Sequence, residues 1–279
     1  MGLNAEGQFL LDIRSGIGDT NNHLGNWNPN DSTPCGWEGV SCTSDYNQVV
    51  RCLNLSSMNL SGQNLISGSL PSEIGGCESL EYLGLAQNQF SGEIPKEIGM
   101  LQNLTDLVLW SNQLSGFIPV ELGNCSNLRT LALYDNKLVG PIPQELGNLL
   151  FLRKLYLYRN SLNGAIPKEI GNLSSAVEID FSENELTGEI PIELTKISGL
   201  QLLYIFENKL HGGIPDGLTT LENLTKLDLS INYLSGAIPI GFQHMKQLIM
   251  LQLFSNSLSG VIPQALGVFS KLWVVDFVK

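Results

Sequence analysis

The stretch that decides the fold is residues 104–127, which read LTDLVLWSNQLSGFIPVELGNCSN. The same pattern returns every 24 residues, and its general form is LxxLxLxxNxLSGxIPxxLGxLxx. Prolines keep this interval at positions 71, 95, 119, 143, 167, 191, 215, 239 and 263. Asparagines keep it at positions 88, 112, 136, 160, 184, 208, 232 and 256. A fixed period of this length is typical of solenoids, in which each repeat packs only against its neighbours.

Each column of the repeat has a structural interpretation. The alternation in LxxLxL predicts a short strand with one buried and one solvated face. The asparagine is expected to hydrogen-bond backbone groups of the turn after that strand. Glycine permits the turn that follows it, and proline prevents a regular helix on the far side. The Leu, Asn, Gly and Pro columns therefore indicate architecture rather than a functional site.

Composition excludes some classes of partner. The chain has 279 residues, with 15 Lys and Arg against 27 Asp and Glu, for a formal net charge of −12. This balance argues against a general nucleic-acid or anionic-membrane surface, because both require basic patches. No apolar run approaches the ~20 residues that span a bilayer. The first residues contain acids where a signal peptide has a basic and then an apolar segment, so no signal peptide is expected in this chain.

The unit LSGxIPxxLGxLxxLxxLxLxxN resembles the plant-specific class of leucine-rich repeats. Upstream, FLLDIRSGIGDTNNHLGNWNPNDSTPCGWEGVSC resembles the N-terminal cap of plant leucine-rich-repeat receptor-like kinases, most closely the receptors of peptide signals. The matching features are the amphipathic segment Phe9-Leu10-Leu11-Ile13, Leu24-xx-Trp27-Asn28, and Pro34-Cys35-x-Trp37-x-Gly39-Val40-x-Cys42. The resemblance implies an α/β leucine-rich-repeat solenoid, with a parallel β-sheet on the concave face, a 3-10 or irregular convex side and a helical N-terminal cap.

The resemblance also implies a domain organisation. Residues 1–47 are the expected cap, with a disulfide between Cys35 and Cys42. Residues 48–79 are a first repeat with an irregular junction, residues 80–271 are eight 24-residue repeats, and residues 272–279 are a truncated tenth strand. The family carries a serine/threonine kinase downstream, whose Gly-rich loop, HRD and DFG motifs are missing from this sequence.

The junction interrupts the period. From Val50 to Leu80 the spacing is 30 residues, and the six extra residues are QNLISG, residues 63–68. Asn64 fits the asparagine column of a different repeat, and Pro71 is in phase with every later proline. We favour a join across deleted repeats; the alternative is a six-residue loop insertion, which solenoids tolerate.

Cysteines and sequons indicate an oxidising compartment. A disulfide in the cap suits the extracellular face of the plasma membrane, where the parent family is located. Cys77 and Cys125 share one repeat position and are expected to be buried and unbridged, whereas Cys52 is expected to face outward. Seven N-x-S/T sequons are candidate glycosylation sites: Asn30, Asn54, Asn59, Asn103, Asn124, Asn172 and Asn223.

No catalytic chemistry is indicated. His23, His211 and His244 lack metal-ligand spacing, and no nucleophile-elbow or Walker motif is present. We therefore expect no enzyme activity, no cofactor and no metal.

Candidate binding residues lie on the concave face, at the third, fifth and seventh positions of LxxLxLxxN, which alternate with the buried leucines. Large aromatic residues at such positions are typical anchors of binding surfaces. The alternative interpretation is that the rings cover one another. The candidate ligand-binding residues at these positions are Trp110, Tyr134, Lys154, Tyr156, Tyr158, Asp180, Tyr204, Phe206 and Phe254, and the candidates next to these positions are Arg153, Arg159, Glu183 and Glu207.

Charges change sign along this face. Basic residues come first, at Arg129, Arg153, Lys154 and Arg159, and acidic residues follow, at Glu178, Asp180, Glu183, Glu207 and Asp228, with Lys226 among them. We interpret the change of sign as setting the direction of a peptide, acidic end over the basic residues and basic end over the acidic ones. The alternative is that these charges form lateral salt bridges within the protein.

The sequence therefore predicts a ligand-recognition ectodomain that binds a secreted peptide or other protein ligand, with a co-receptor leucine-rich-repeat kinase as a further candidate partner. Two alternatives stay open: a secreted inhibitor of a cell-wall-degrading enzyme, like the polygalacturonase-inhibiting proteins, and a non-signalling decoy fragment. No nucleic-acid partner is expected, and contact with the membrane is expected only through a transmembrane segment missing from this chain.

Overall fold

The computed structural model describes residues 3–19, 22–44, 49–56, 66–268, 272 and 274–276. The chain divides into two compact units, an N-terminal unit, Met1–Leu138, and a C-terminal unit, Val139–Lys279. Each is described in turn.

The N-terminal unit begins with helix α1, Ala5–Gly16. Asn4 caps this helix, because its side-chain oxygen accepts a hydrogen bond from the Gly7 amide at 2.9 Å. Leu10 and Ile13 are buried on one side, which confirms the predicted amphipathic helix. The disulfide between Cys35 and Cys42 is present, with 5.5 Å between the Cα atoms.

Short strands and 3-10 helices follow in every repeat of this unit. The strands are β1 (Ile17–Gly18), β2 (Val40–Cys42), β3 (Val50–Asn54), β4 (Ser67–Ser69), β5 (Tyr82–Gly84), β6 (Gln89–Glu93), β7 (Asp106–Val108), β8 (Gln113–Gly116), β9 (Thr130–Ala132) and β10 (Lys137–Gly140). The 3-10 helices are η1 (Ser72–Gly76), η2 (Lys96–Met100) and η3 (Val120–Asn124). Strands β3, β5, β7 and β9 pair in parallel and form what we call the leucine sheet of this unit, and β2 adds to β3 antiparallel.

The C-terminal unit repeats the same arrangement. Its strands are β11 (Lys154–Tyr156), β12 (Ser161–Ala165), β13 (Glu178–Asp180), β14 (Glu185–Thr187), β15 (Leu202–Tyr204), β16 (His211–Gly213), β17 (Lys226–Asp228), β18 (Tyr233–Ala237), β19 (Met250–Gln252), β20 (Ser257–Ser259) and β21 (Val274–Asp276). Its 3-10 helices are η4 (Gln144–Asn148), η5 (Lys168–Asn172), η6 (Ile192–Lys196), η7 (Asp216–Thr220) and η8 (Ile240–His244). The leucine sheet of this unit is β11, β13, β15, β17, β19 and β21, all parallel.

Two elements of the predicted fold are confirmed in both units. The leucine strands stack in parallel and their leucines are fully buried, as for Leu107 and Leu203. A 3-10 helix starts directly after a proline in each described repeat from η1 to η8, for example after Pro191. Proline suits this position because its fixed φ allows a helical start and its missing N–H leaves no donor unpaired there.

A second sheet was not predicted. The LSG segment, interpreted above as a turn, forms strands that pair in parallel, such as β12 with β14 and β16 with β18 and β20. Leu234 in β18 is fully buried while Tyr233 and Ser235 beside it are exposed, so this segment also alternates with period two. Gly236 tolerates its φ of +79° without breaking the strand, which is why reading glycine as a turn was wrong here.

The asparagine column holds each turn, as predicted. Asn208 is 8% exposed, and its Nδ2 donates to the carbonyl oxygens of Phe181, Ile205 and Phe206 at 3.0, 3.3 and 3.2 Å. Its Oδ1 accepts from the amide of Leu186 at 2.9 Å. One side chain therefore satisfies backbone groups of two successive repeats.

The residue before each asparagine has a left-handed backbone, with φ between 52° and 57°. These residues are Gln87, Ser111, Asp135, Arg159, Glu183, Glu207, Ile231 and Ser255. The chain thus turns sharply at the end of each leucine strand.

The strands on both sides of the junction pair with their neighbours in the regular register. Leu53 pairs opposite Leu83, 30 positions later, whereas Leu83 pairs opposite Leu107, 24 positions later. In the second sheet β4 pairs with β6 at the same offset as β6 with β8, so the surplus of six positions arises between the end of β3 at Asn54 and the start of β4 at Ser67. Residues 57–65, which include Asn59 and Asn64, lie outside the described residues. The choice between a join and an insertion stays a prediction, as do the predicted domain boundaries.

None of the helices in the described part of the chain combines the length and apolar character needed to cross a lipid bilayer.

We predict that Asn208→Ala lowers the free energy of unfolding by about 2–4 kcal/mol, because it leaves buried backbone donors and acceptors without partners. Urea denaturation measures the change. Asn172→Ala is the control: Asn172 is exposed at the end of η5, so the expected change is within about 0.5 kcal/mol. Equal losses from the two substitutions would contradict a special role for the asparagine column.

Candidate functional site

The exposed face of the leucine sheet in the C-terminal unit carries most of the predicted site. Its aromatic residues are half-buried, whereas the leucines between them are fully buried. These aromatic residues are Tyr156, Tyr158, Tyr204, Phe206 and Phe254. Half-buried rings are held by their neighbours but still present a surface, which suits them to contact a ligand.

The aromatic pair of the N-terminal unit favours the alternative interpretation. Trp110 and Tyr134 stack with their ring centroids 5.1 Å apart and their planes 7° apart. These two rings therefore cover each other, while both stay half-buried.

Tyr204 lies at the centre of an acidic row. The register of β13, β15 and β17 places it between Asp180 and Asp228. Phe206 meets Tyr204 edge to face, with 6.2 Å between ring centroids. Asp180 and Tyr204 are half-buried, whereas Asp228 is 7% exposed, so a ligand on this row would contact the aromatic rings and the Asp180 carboxylate and would lie above Asp228.

The two aspartates are held in the same way. Asp180 Oδ1 accepts from the amide of Ser182 at 3.0 Å and from its hydroxyl at 2.5 Å. Asp228 Oδ1 accepts from the amide and hydroxyl of Ser230 at the same distances. Both serines were predicted to face solvent, but each is 1% exposed, because a small side chain here folds onto its aspartate beneath larger neighbours.

Burial controls the protonation of this row. It raises the pKa of Asp180 to about 6, helped by the charges of Glu183 and Asp228 and opposed by the hydrogen bonds from Ser182. Burial also raises the pKa of Asp228. The pKa of Tyr204 is raised to about 12 by burial and by nearby carboxylates, so its hydroxyl stays a donor.

Tyr156 and Glu178 form a second polar group. The Tyr156 hydroxyl donates to the Glu178 carboxylate, and burial together with this bond raises the pKa of Tyr156. Lys154 Nζ lies 3.8 Å from the same carboxylate. The Tyr156 hydroxyl is therefore already engaged within the protein, and a ligand would meet mainly the ring.

Some of the predicted charges are paired within the protein. Arg159 Nε donates to the Glu183 carboxylate at 2.9 Å, in addition to the pair of Lys154 and Glu178. Arg159, Glu183 and Glu207 lie in the left-handed turns after the strands, not on the strands themselves. In the described part of the chain, Arg153, Glu207 and both row aspartates form no ion pair.

Cysteines and sequons carry no reactive site. Cys77 and Cys125 are buried and unbridged, as predicted, and burial raises their pKa values to about 12 and about 11. Cys52 is unbridged and half-buried, next to the fully buried Leu53 of the same strand. The sequon residues within the described ranges are exposed: Asn30, Asn54, Asn103, Asn124, Asn172 and Asn223.

Among the described residues, no three His, Cys, Asp or Glu side chains are placed to hold a metal ion.

The aspartate–serine pairs are the functional feature that sequence reasoning missed. Asp180-Phe181-Ser182 and Asp228-Leu229-Ser230 lie 48 positions apart, two repeats, and no other described repeat has this pair. The recurrence of Asp-x-Ser at the same repeat position was the sequence pattern from which these pairs could have been predicted.

Family models match the chain in several places. The model described as leucine rich repeat N-terminal domain matches residues 3–43. Models described as leucine rich repeat match residues 79–101, 103–125, 127–149 and 151–173, and residues 217–276.

Known proteins are similar over parts of their length. A probable leucine-rich repeat receptor-like protein kinase of Arabidopsis thaliana is 50% identical over 84 residues, which are 29% of this chain and 7% of that kinase. The ectodomain of the Arabidopsis thaliana receptor kinase GASSHO1/SCHENGEN3, solved with CASPARIAN STRIP INTEGRITY FACTOR 2, superposes with a TM-score of 0.83 at 34% identity, over 97% of this chain and 35% of that one. A plant ice-binding protein superposes with a TM-score of 0.84 at 29% identity, over 99% of this chain and 86% of that one.

We predict that Asp180→Asn stabilises the chain in a pH-dependent way. Because the pKa of Asp180 rises from an ordinary 3.8 to about 6 on folding, ionising this group costs stability as the pH increases through that range. The amide keeps the acceptor for Ser182, so the variant should match the parent near pH 4 and exceed it by about 1–3 kcal/mol at pH 7.5.

Urea denaturation at both pH values measures this difference. Asp135→Asn, at an exposed turn position, is the control and should change stability equally at the two pH values. A pH-independent difference for Asp180→Asn as well would contradict the assignment of a buried, ionising carboxylate.

Proposed function

Because the chain belongs to the leucine-rich-repeat family, in the class found in plant receptor-kinase ectodomains, we propose that it is an extracellular ligand-recognition module for an extended secreted peptide. The peptide would lie on the exposed face of the leucine sheet of the C-terminal unit. The observation that carries this proposal is the row of Asp180, Tyr204 and Asp228, with Phe206 beside it. The likeness to an ectodomain solved with a bound factor supports it.

The row suits a cationic group. The half-buried Asp180 carboxylate lies beside the Tyr204 ring and has no ion pair among the described residues, and a Lys or Arg side chain would gain from both groups, through Coulomb attraction and through a cation–π contact. Asp228, which is 7% exposed, would add to the attraction from below the surface. Fixed hydrogen bonds from Ser182 and Ser230 hold the carboxylates before the ligand arrives, which lowers the entropy cost of binding.

The length of the strand stack and the charges along it indicate how long the peptide is and how its ends are charged. From β11 to β19 the strands cover four spacings of ~4.8 Å, roughly 19 Å, which is room for about six extended residues at ~3.3 Å each. Arg153 is exposed and lies at the β11 end, where it would attract the acidic or sulfated end of the peptide. Lys154 and Arg159 contribute less to this attraction, since each is already paired with a glutamate.

Binding should depend on the acidic row. The probe is a synthetic seven-residue peptide library with one basic and one acidic end, screened by surface plasmon resonance. We expect basic-ended peptides to bind, and the double variant Asp180→Asn and Asp228→Asn to weaken them about 10–100-fold, because two charge-assisted contacts are lost. Phe117→Ala, at an exposed aromatic of the N-terminal unit, is the control and should bind as the parent does.

If the double variant bound basic-ended peptides as tightly as the parent, the row would not be the recognition site. If no peptide of the library bound the parent, the peptide proposal itself would be overturned. Inhibition of a secreted cell-wall-degrading enzyme by the parent chain would then favour the inhibitor alternative.

Electrostatic steering gives a second test on the same peptides. Arg153→Glu should slow association about tenfold at low salt and much less at high salt, since an exposed charge acts on encounter and is screened by ions. Lys168→Glu makes the same charge change on η5 and should leave the association rate within about twofold. An unchanged association rate for Arg153→Glu at every ionic strength would contradict steering.

A second candidate function is ice binding, which the likeness to the plant ice-binding protein suggests. One feature favours it: the shorter strands of the C-terminal unit, β12 and β14 in one sheet and β16, β18 and β20 in another, hold exposed polar residues at one repeat position, which we call the polar column, Asn163, Thr187, His211, Ser235 and Ser259. The ion pair of Glu185 and Lys209 beside this column makes it uneven. Thermal hysteresis of the parent chain distinguishes this function from peptide binding.

A further inference from the structure

The aromatic residues of the C-terminal unit recur in every second repeat. At the seventh position of LxxLxLxxN, alternate repeats hold Tyr158, Phe206 and Phe254, which are 48 positions apart. The repeats between them hold Ser182 and Ser230. Each serine is 1% exposed, whereas the three aromatic residues are half-buried. Aromatic side chains from every second repeat therefore form the surface at this position.

The fifth position alternates in the same sense. Tyr156 and Tyr204 come from the repeats with an aromatic seventh residue, and Asp180 and Asp228 come from the repeats between them. The register places these four residues, followed by Gln252, side by side across the sheet. We call β11, β15 and β19 the aromatic strands, and β13 and β17 the aspartate strands. The face thus repeats every two strands, or ~9.6 Å at ~4.8 Å per strand.

The N-terminal unit has no such alternation. Its two aromatic candidates, Trp110 and Tyr134, occupy the seventh position of successive repeats, and their rings stack 5.1 Å apart. Strands two steps apart are ~9.6 Å from one another, beyond the ~4.5–7 Å over which ring centroids usually interact. The alternation in the C-terminal unit therefore separates aromatic positions that neighbouring strands would bring together.

A polyproline II helix has nearly the same period as this face. It has about three residues per turn and rises ~3.1 Å per residue, so one turn is ~9.3 Å long. An extended β peptide returns a side chain to the same side every ~6.7 Å, and an α-helix completes a turn every ~5.4 Å. Measured from β11, extended side chains fall at ~6.7 and ~13.4 Å and miss β15 at ~9.6 Å, whereas polyproline II turns fall within about 1 Å of β15 and β19.

The chemistry of the face suits the same conformation. Proline favours polyproline II because its ring fixes φ, and aromatic-lined grooves are a common binding surface for proline-rich segments. A residue two positions after a proline lies ~6.2 Å further along the helix, within about 1.5 Å of the aspartate strand at ~4.8 Å. On β13 that strand presents Asp180, which is half-buried and forms no ion pair among the described residues. A Lys or Arg at this place in the peptide would meet its carboxylate.

Resting on the peptide recognition proposed above, we propose that the ligand is a proline-rich peptide in the polyproline II conformation. A proline at every third position packs on an aromatic strand, and a basic residue between two prolines lies over an aspartate strand. Three prolines cover the three aromatic strands, so the recognised segment has the pattern Pro-x-Lys-Pro-x-Lys-Pro, with Arg equivalent to Lys. Such a peptide already populates the bound conformation when it is free, which lowers the entropy cost of binding.

Two synthetic peptides of identical composition test the period. Pro-Ser-Lys-Pro-Ser-Lys-Pro has a proline at every third position, and Pro-Lys-Pro-Ser-Pro-Lys-Ser has one at every second position. In surface plasmon resonance on the full chain, we expect the first peptide to bind about tenfold more tightly, because only its prolines coincide with all three aromatic strands.

A variant of the middle aromatic strand tests where this preference arises. Phe206→Ala should reduce the preference to about twofold or less, because the central proline loses its aromatic contact. Tyr233→Ala is the matched control: Tyr233 is 64% exposed on β18, outside the leucine sheet, and its removal should leave the preference at about tenfold. Circular dichroism checks that both variants are folded. If Phe206→Ala is unfolded, Phe206→Leu, which removes the ring but keeps an apolar side chain, takes its place.

The outcomes separate this proposal from the one on which it rests. Equal binding of the two peptides by the parent chain, or tighter binding of the second, would overturn the polyproline II conformation and leave peptide recognition standing. Binding of library peptides but of neither proline peptide would do the same. If no peptide of either kind bound, peptide recognition itself would fail. An undiminished preference in the folded variant at position 206 would contradict the role of the aromatic strands.

Discussion

The asparagine that follows each leucine strand solves a problem that every solenoid of short strands has. A three-residue strand must end in a tight turn, and the backbone groups of that turn lie too deep for water to reach. The Oδ1 atom of Asn208 accepts a hydrogen bond from one backbone amide, and its Nδ2 atom donates to three backbone carbonyl oxygens. These four groups belong to two successive repeats. The regular spacing of the strands depends on these bonds, because each buried backbone group left without a partner would cost about 1–3 kcal/mol.

This division of labour leaves the exposed face free for function. The leucines, asparagines and prolines fix the backbone, so half-buried residues such as Tyr204 and Phe206 can vary without disturbing it. In the C-terminal unit these free positions gather aromatic rings and aspartates, and the aspartates are held by serines from their own strands. A rigid backbone and fixed carboxylates would lower the entropy cost of the peptide binding that we propose.

Much of this architecture could be predicted from the sequence, because a 24-residue period constrains every repeat at once. The parallel leucine strands, the 3-10 helices after proline, the helix over Leu10 and Ile13, and the disulfide all agree with those expectations. The pairing of the LSG segments could not be predicted in the same way, because the glycine of LSG is compatible both with a strand and with a turn.

The details of the candidate site were harder to predict. Periodicity places Arg159 and Glu183 in equivalent positions of neighbouring repeats, but only rotamers decide whether they pair with each other or face a ligand. Likewise, alternation assigns Ser182 to the outer face, yet its size lets it turn down onto Asp180. Side-chain length and local hydrogen bonding decide which way these side chains turn, and a repeat pattern gives no information about either.

The register on both sides of the junction has a consequence for how such chains change in length. Strands β3 and β5 align despite 30 intervening positions, because the surplus is confined to one connection, while the remaining strands keep their 24-residue step. The stack can therefore change in length by whole repeats of 24 residues without altering the packing of the strands. Any other number of inserted residues has to be placed in a connection between strands. A complete repeat is therefore the natural unit by which a chain of this kind changes in length.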